Sequence, residues 1–139
     1  MKNLDLLAAQ TAQMIIQDTQ KFNNNDLDAN KIENLVTKAL GVLQENGVYA
    51  ALLYLYSRTE KADQFAAEKV REQLLSLTSY VLDLSPPEKE RSTVLASVAL
   101  KFLTDKICND LDRLLLVKQL WEQTLIYARY GAKARAAEG

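Results

Sequence analysis

Nine consecutive apolar residues, VYAALLYLY at positions 48–56, constrain this chain more than any other segment. They lie within ALGVLQENGVYAALLYLYSRTEK (39–61), bracketed by Asn46-Gly47 before and Ser57-Arg58 after. A membrane-spanning helix needs about 20 apolar residues in a row, so the run is too short to cross a bilayer. An ordinary surface helix carries an apolar stripe at i, i+3 and i+4 with polar residues between, and nothing of that kind interrupts these nine. Every face of the segment is therefore expected to meet apolar neighbours. Tyr49, Tyr54 and Tyr56 would suit a strand, but Ala50, Ala51, Leu52, Leu53 and Leu55 favour a helix, and the flanking segments have helical periods. The run reads as a buried helix whose tyrosine hydroxyls reach partners or the surface.

The rest of the chain divides around it. Leu4, Leu7, Ala8, Ala12, Ile15 and Ile16 recur at helical spacing, and Phe22-Asn23-Asn24-Asn25-Asp26 ends that first helix with residues that favour turns. A second helix starts at Asp28 as its N-cap and carries Ile32, Leu35, Val36, Leu40 and Leu43 on one face. Asn46-Gly47 stops it, because these residues tolerate positive φ. After the apolar run, Thr59 and Glu60 open a fourth helix through Phe65, Val70, Leu74, Leu77, Tyr80, Val81 and Leu84. Ser85-Pro86-Pro87-Glu88 then reads as a capping box with prolines in the first turn, leading a fifth helix with Val94, Val98, Leu100, Phe102, Leu103 and Ile107. Asn109-Asp110 separates it from a last helix over about 111–137. No strand pair, repeat or linker is evident. The predicted fold is all-α, a compact antiparallel bundle of about six helices forming a single domain over residues 1–139.

Composition narrows the chemistry. The chain has 139 residues, enough for one core without a disulfide or metal staple, and its four glycines and two prolines favour few, long elements. Its net charge of −1 is not polybasic, so any nucleic-acid contact has to come from a local patch. There is no histidine, which removes the commonest general base and metal ligand together. Di-iron bundles place a Glu-x-x-His pair on each of two helices, and this chain cannot supply either. Cys108, the single cysteine, cannot pair within the chain and reads as a small core residue suited to a reducing cytoplasm. Asp110 and Asp112 suit the dipole of the last helix better than a magnesium site, and Asp26 and Asp28 lack the glycine of a calcium loop. The expected protein is not an enzyme, with no catalytic residue, metal or cofactor. MKNLDLLAAQ has Asp5 where a signal peptide would be apolar, so no export signal is read there.

One charge pattern stands out. Between 113 and 135 lie Arg113, Lys118, Arg129, Lys133 and Arg135 with a single acid, Glu122. At about 100° per residue, Lys118, Arg129 and Lys133 fall within an arc of about 60°, with Glu122 among them. Leu114, Val117, Trp121 and Leu125 occupy one flank of this arc; Leu115, Leu116, Ile126, Tyr127 and Tyr130 occupy the other. Such a helix is either central to the bundle or packed partly against a second molecule. Complementing the helix dipole accounts for Lys133 and Arg135 but does not reach Lys118. The stripe is therefore a candidate phosphate-contacting surface, with Trp121 taken as core rather than as a stacking platform. Arg58 and Lys61 form a second basic spot at the turn after the apolar run.

Residues at both ends of this pattern carry a resemblance. Asn46-Gly47 through AALLYLYSR to Lys61, then Lys118-Gln119, a Leu/Trp-rich turn and Ala128-Arg129-Tyr130-Gly131-Ala132-Lys133-Ala134, resemble the small helical subunit of the Cmr complex, the type III-B CRISPR RNA-targeting effector. That family reads as an Asn-Gly-Leu-like turn, a Gln-Ala-Leu-Ala-Phe-like helix, a Ser-Arg/Lys-Gly-Lys-like turn and a final Trp-x-Arg/Lys-Arg-Phe/Tyr-Ala-x-Ala helix. AAQTAQMI is similar to its opening helix. The chain departs from the pattern at Ile126 and Ala128, and near Tyr49-Ala50. The resemblance implies a non-catalytic cytoplasmic subunit, monomeric in isolation, that stacks with copies of itself beside other Cmr subunits. In the assembly it would contact crRNA and target RNA through Lys118, Arg129 and Lys133, with Arg58 and Lys61 as secondary contacts. The competing reading is a helical adaptor for one protein partner, with no nucleic acid.

Overall fold

The computed structural model describes residues 2–22, 25–26 and 28–138. Six helices account for most of them: α1 (Leu4–Asp18), α2 (Ala29–Asn46), α3 (Val48–Tyr56), α4 (Lys61–Leu82), α5 (Ala96–Lys106) and α6 (Leu111–Glu138). The all-α class read from the sequence is the observed one. One detail differs, because Lys21–Phe22 pairs antiparallel with Asn25–Asp26 in a minimal ribbon between α1 and α2. Two residues per strand offer no alternation for a sequence pattern to reveal. Asn23 and Asn24, read as part of the turn, lie outside the described residues.

Short polar side chains start three of the helices by accepting from otherwise unpaired backbone donors. Asn3 accepts from the N–H of Leu6, Asp28 from that of Asn30 at 2.8 Å, and Asp110 from that of Arg113 at 3.2 Å. Between α2 and α3, Gly47 sits at φ 96° and ψ −175°, a conformation reached essentially by glycine alone. A methyl group there would meet open space, so the constraint is conformational rather than steric. Gly47→Ala is expected to cost about 1–3 kcal/mol, read as a lower urea midpoint at unchanged m. An unshifted midpoint would mean that this turn relaxes freely.

The predicted capping box does not form. Ser85 and Pro86 each precede a proline, which disfavours helical backbone at both, so no first turn can be built there. The chain instead leaves α4 through Asp83 in the left-handed region (φ 54°), continues irregularly, makes a bridge between Glu90 and Thr93, and begins α5 only at Ala96. Val94, expected on a helix, is buried in this loop. Its carbonyl accepts the Tyr56 hydroxyl at 2.8 Å, which ties the loop to α3.

The core is built around α6. Val117, Leu120, Trp121, Leu125, Ala128 and Ala132 are buried along one side of it. Trp121 is wholly enclosed, and its Nε1–H donates to Thr78 Oγ1 at 2.8 Å, joining α6 to α4. Tyr127 donates to Asp5, and a methyl at Gly131 would lie 3.4 Å from Ile16, so α1 runs parallel to α6. Lys2 binds Asp83 at 2.9 Å and Gln73 binds Asp18 at 2.9 Å, so α1 runs antiparallel to α4. Lys31 reaches Glu60 at 3.4 Å. One end of the bundle thus gathers the starts of α2 and α4 with the ends of α1, α3 and α6.

Two expectations about apolar faces are settled by this packing. α3 is not covered on every side: Val48, Ala51, Leu52 and Leu55 are buried, but Tyr49 is 40% and Leu53 47% exposed. A nine-residue helix at the bundle edge meets α2, α4 and α5 on one side and leaves the other open. On α6, the flank with Val117, Trp121 and Leu125 is core, whereas Leu115 and Tyr130 on the opposite flank stand exposed, together with Leu111. No helix among the described residues is long and apolar enough to cross a membrane.

Candidate nucleic-acid interface

Lys118, Arg129 and Lys133 lie along one side of α6 but are not equivalent. Lys118 Nζ is 4.0 Å from Glu122 Oε1, so its charge is partly answered within the helix. Arg129 is half-buried, and its Nε is covered without a hydrogen-bond partner among the described residues. Lys133 is exposed. From Lys118 to Lys133 the axis advances about 22 Å at about 1.5 Å per residue, so the three form a spaced row and no pocket. Of the three cations, one is paired, one partly covered and one exposed. Arg113 serves the α5–α6 turn, donating to the Lys106 carbonyl at 2.9 Å. Arg135 has a covered Nη1 with no hydrogen-bond partner among the described residues.

The second basic spot is the more developed one. Arg58 and Lys61 line a cleft of about 490 Å³ formed by the end of α3, one face of α4 and Thr93. Arg71 lines the same cleft and was missed in the sequence. A signal existed: Lys61, Gln64, Phe65, Glu68 and Arg71 follow each other at i, i+3, i+4, i+7 and i+10, which places them on one face of α4. None of Arg58, Lys61 and Arg71 takes part in the ion pairs seen among the described residues. Arg58 is held from below, its guanidinium carbon 4.0 Å from the Tyr54 ring centroid and its Nη2 3.1 Å from Ser57 Oγ. Arg71 lies 4.1 Å from the Tyr56 ring centroid. Both arginines are thus oriented by aromatic faces; Glu68 lines the cleft with them, Glu72 also acts on Tyr56, and Glu60 and Asp63 line a hollow that Arg58 shares.

Burial pushes the Tyr56 hydroxyl above its ordinary value of 10.0, against the opposing pull of Arg71, and burial raises Tyr54 in the same way against Arg58. A folded state that holds these protons more tightly is favoured by them fully below pH about 10, and that contribution is lost as pH rises through the raised values. Urea midpoints are therefore expected to fall between pH 9 and pH 11, and to fall less in Tyr56→Phe. A drop of the same size in that variant would remove Tyr56 from the account.

Other candidates carry no reactive geometry. Cys108 packs at the edge of the core, and burial raises its thiol, which keeps it protonated. Asp110 caps α6, as the dipole reading has it. Among the described residues no group of three His, Cys, Asp or Glu side chains is placed to hold a metal ion. No family model, curated protein or solved structure matches this chain.

Proposed function

We propose that this chain is a non-catalytic small subunit of a type III-B, Cmr-like RNA-targeting ribonucleoprotein. The observation that carries the proposal is a set of cations that form no ion pair among the described residues: Arg58, Lys61 and Arg71 in one cleft, and Arg129 and Lys133 along α6. Spaced charges without a base-reading pocket suit contact with the backbone and shape of a guide–target duplex. The sequence resemblance supplies the assembly, in which the chain is monomeric alone, acts in the cytoplasm, and stacks with copies of itself and other Cmr subunits along crRNA and target RNA. Exposed Leu111, Leu115 and Tyr130 offer such neighbours an apolar contact.

A few charges per molecule bind RNA weakly, and several stacked copies act multivalently. In a reconstituted complex, Lys118→Glu, Lys133→Glu and Arg129→Gln together are expected to lower target-RNA affinity at least tenfold. The dependence of log K on log salt should flatten by about 0.7 for each single-strand phosphate that the variant no longer neutralises. Glutamine is chosen at position 129 because the covered Nε makes a carboxylate there a folding problem. Unchanged assembly and RNA affinity in this variant would end the proposal. The same apolar flank also favours a second reading, an adaptor for one protein partner without nucleic acid. Salt-sensitive copurification with crRNA separates the two.

A further inference from the structure

The cleft beside α4 is long, and its two ends differ. Lys61 and Arg71 are ten residues apart, about 15 Å along the helix at about 1.5 Å per residue. At the first end, Arg58 and Lys61 stand beside the opening turn of a 22-residue helix whose N-cap residue, Glu60, makes no side-chain cap bond. Positive side chains and a helix start with no side-chain cap coincide there, with Asp63 in the same first turn, and cations beside a helix N-terminus are a combination that holds phosphate. At the second end, the Arg71 guanidinium carbon stands 4.1 Å over the Tyr56 ring centroid, and guanidinium planes are surfaces on which nucleobases stack. Between them is Glu68, which forms no ion pair among the described residues and whose carboxylate can accept from hydroxyl groups. A volume of about 490 Å³ is far larger than one phosphate needs, and it lies within the range of about 300–1,000 Å³ usual for small-molecule sites.

We infer that this cleft binds a nucleoside 5′-monophosphate unit, with the phosphate at Arg58 and Lys61, the ribose hydroxyls at Glu68 and the base on the Arg71–Tyr56 plane. The unit is a free mononucleotide or the terminal nucleotide of an RNA. The inference shares Arg58 and Lys61 with the proposed RNA contacts but requires only the folded chain, not the assembly.

Titrating the purified full chain with adenosine 5′-monophosphate, adenosine and inorganic phosphate, by calorimetry and amide chemical shifts, tests it. The monophosphate is expected to bind one-to-one, at least tenfold tighter than adenosine or phosphate, with shifts at 58–71 and 93. Arg58→Gln and Lys61→Gln should bring its affinity toward that of adenosine while leaving adenosine unaffected. Arg71→Lys keeps the charge but loses the plane, and should weaken adenosine and its monophosphate alike. Equal affinity for the two, or monophosphate binding untouched by all three substitutions, overturns the inference. Tighter binding of a 5′-phosphorylated hexaribonucleotide than of its 5′-hydroxyl counterpart assigns the site to an RNA end, and binding of the mononucleotide alone assigns it to a free nucleotide. The proposed function is judged separately, by RNA affinity of a complex carrying the α6 substitutions.

Discussion

Leu52→Asp is expected to abolish soluble folding, whereas Leu53→Asp, one residue on, should leave a protein that melts within about 1 kcal/mol of the original. Leu52 is wholly enclosed in the core, and Leu53 is 47% exposed. A carboxylate at 52 must ionise without a partner or be protonated at neutral pH. Either route costs several kcal/mol against a total domain stability of about 5–15 kcal/mol. At 53 the carboxylate stays in water and the main penalty is the lower helix propensity of aspartate. Soluble expression followed by thermal melting in circular dichroism reads both. Equal behaviour of the two variants, in either direction, would contradict the one-sided burial of α3.

The second large effect is expected at Trp121. Trp121→Ala should cost about 3–5 kcal/mol, because the enclosed indole fills space between α4 and α6 that the backbone cannot close. Thr78→Val probes the polar half of the same contact and should cost about 1–3 kcal/mol by leaving the indole N–H unpaired in the core. The Thr78 hydroxyl itself donates to the Leu74 carbonyl at 2.8 Å, so the three groups form a short chain of hydrogen bonds. Urea midpoints of the single and double variants give the coupling directly. A Trp121→Phe protein of unchanged stability but impaired RNA binding would instead make this residue a stacking platform, contrary to its burial.

Much of the fold could be read from residue order because it depends on local chemistry. The periods of α1, α2 and α6, the cap at Asp28, the Asn109-Asp110 separator before α6 and the break at Gly47 all follow from spacing, short polar side chains or a φ that glycine reaches cheaply. The absence of histidine likewise removes whole classes of chemistry before any folding is considered. The capping box at 85–88 misled because a four-residue motif was weighed without the restriction each proline places on the residue before it.

Tertiary structure alone decided three other matters. A run with nine apolar residues has no internal contrast, so only its position at the bundle edge determines that Leu53 faces out and Leu52 in. Lys118 and Glu122 stand four residues apart in the sequence, but only the packing of α6 decides that both are half-covered while Lys133 is exposed. Arg71 joins Arg58 and Lys61 because the end of α3 turns back against one face of α4 and places the Tyr56 ring beneath the guanidinium. Helix periods and caps act over four residues or fewer, and residue order carries them. Which helix faces meet water, and which distant cations share a cleft, depends on how six helices divide a limited buried surface, a property of the whole chain that no local segment contains.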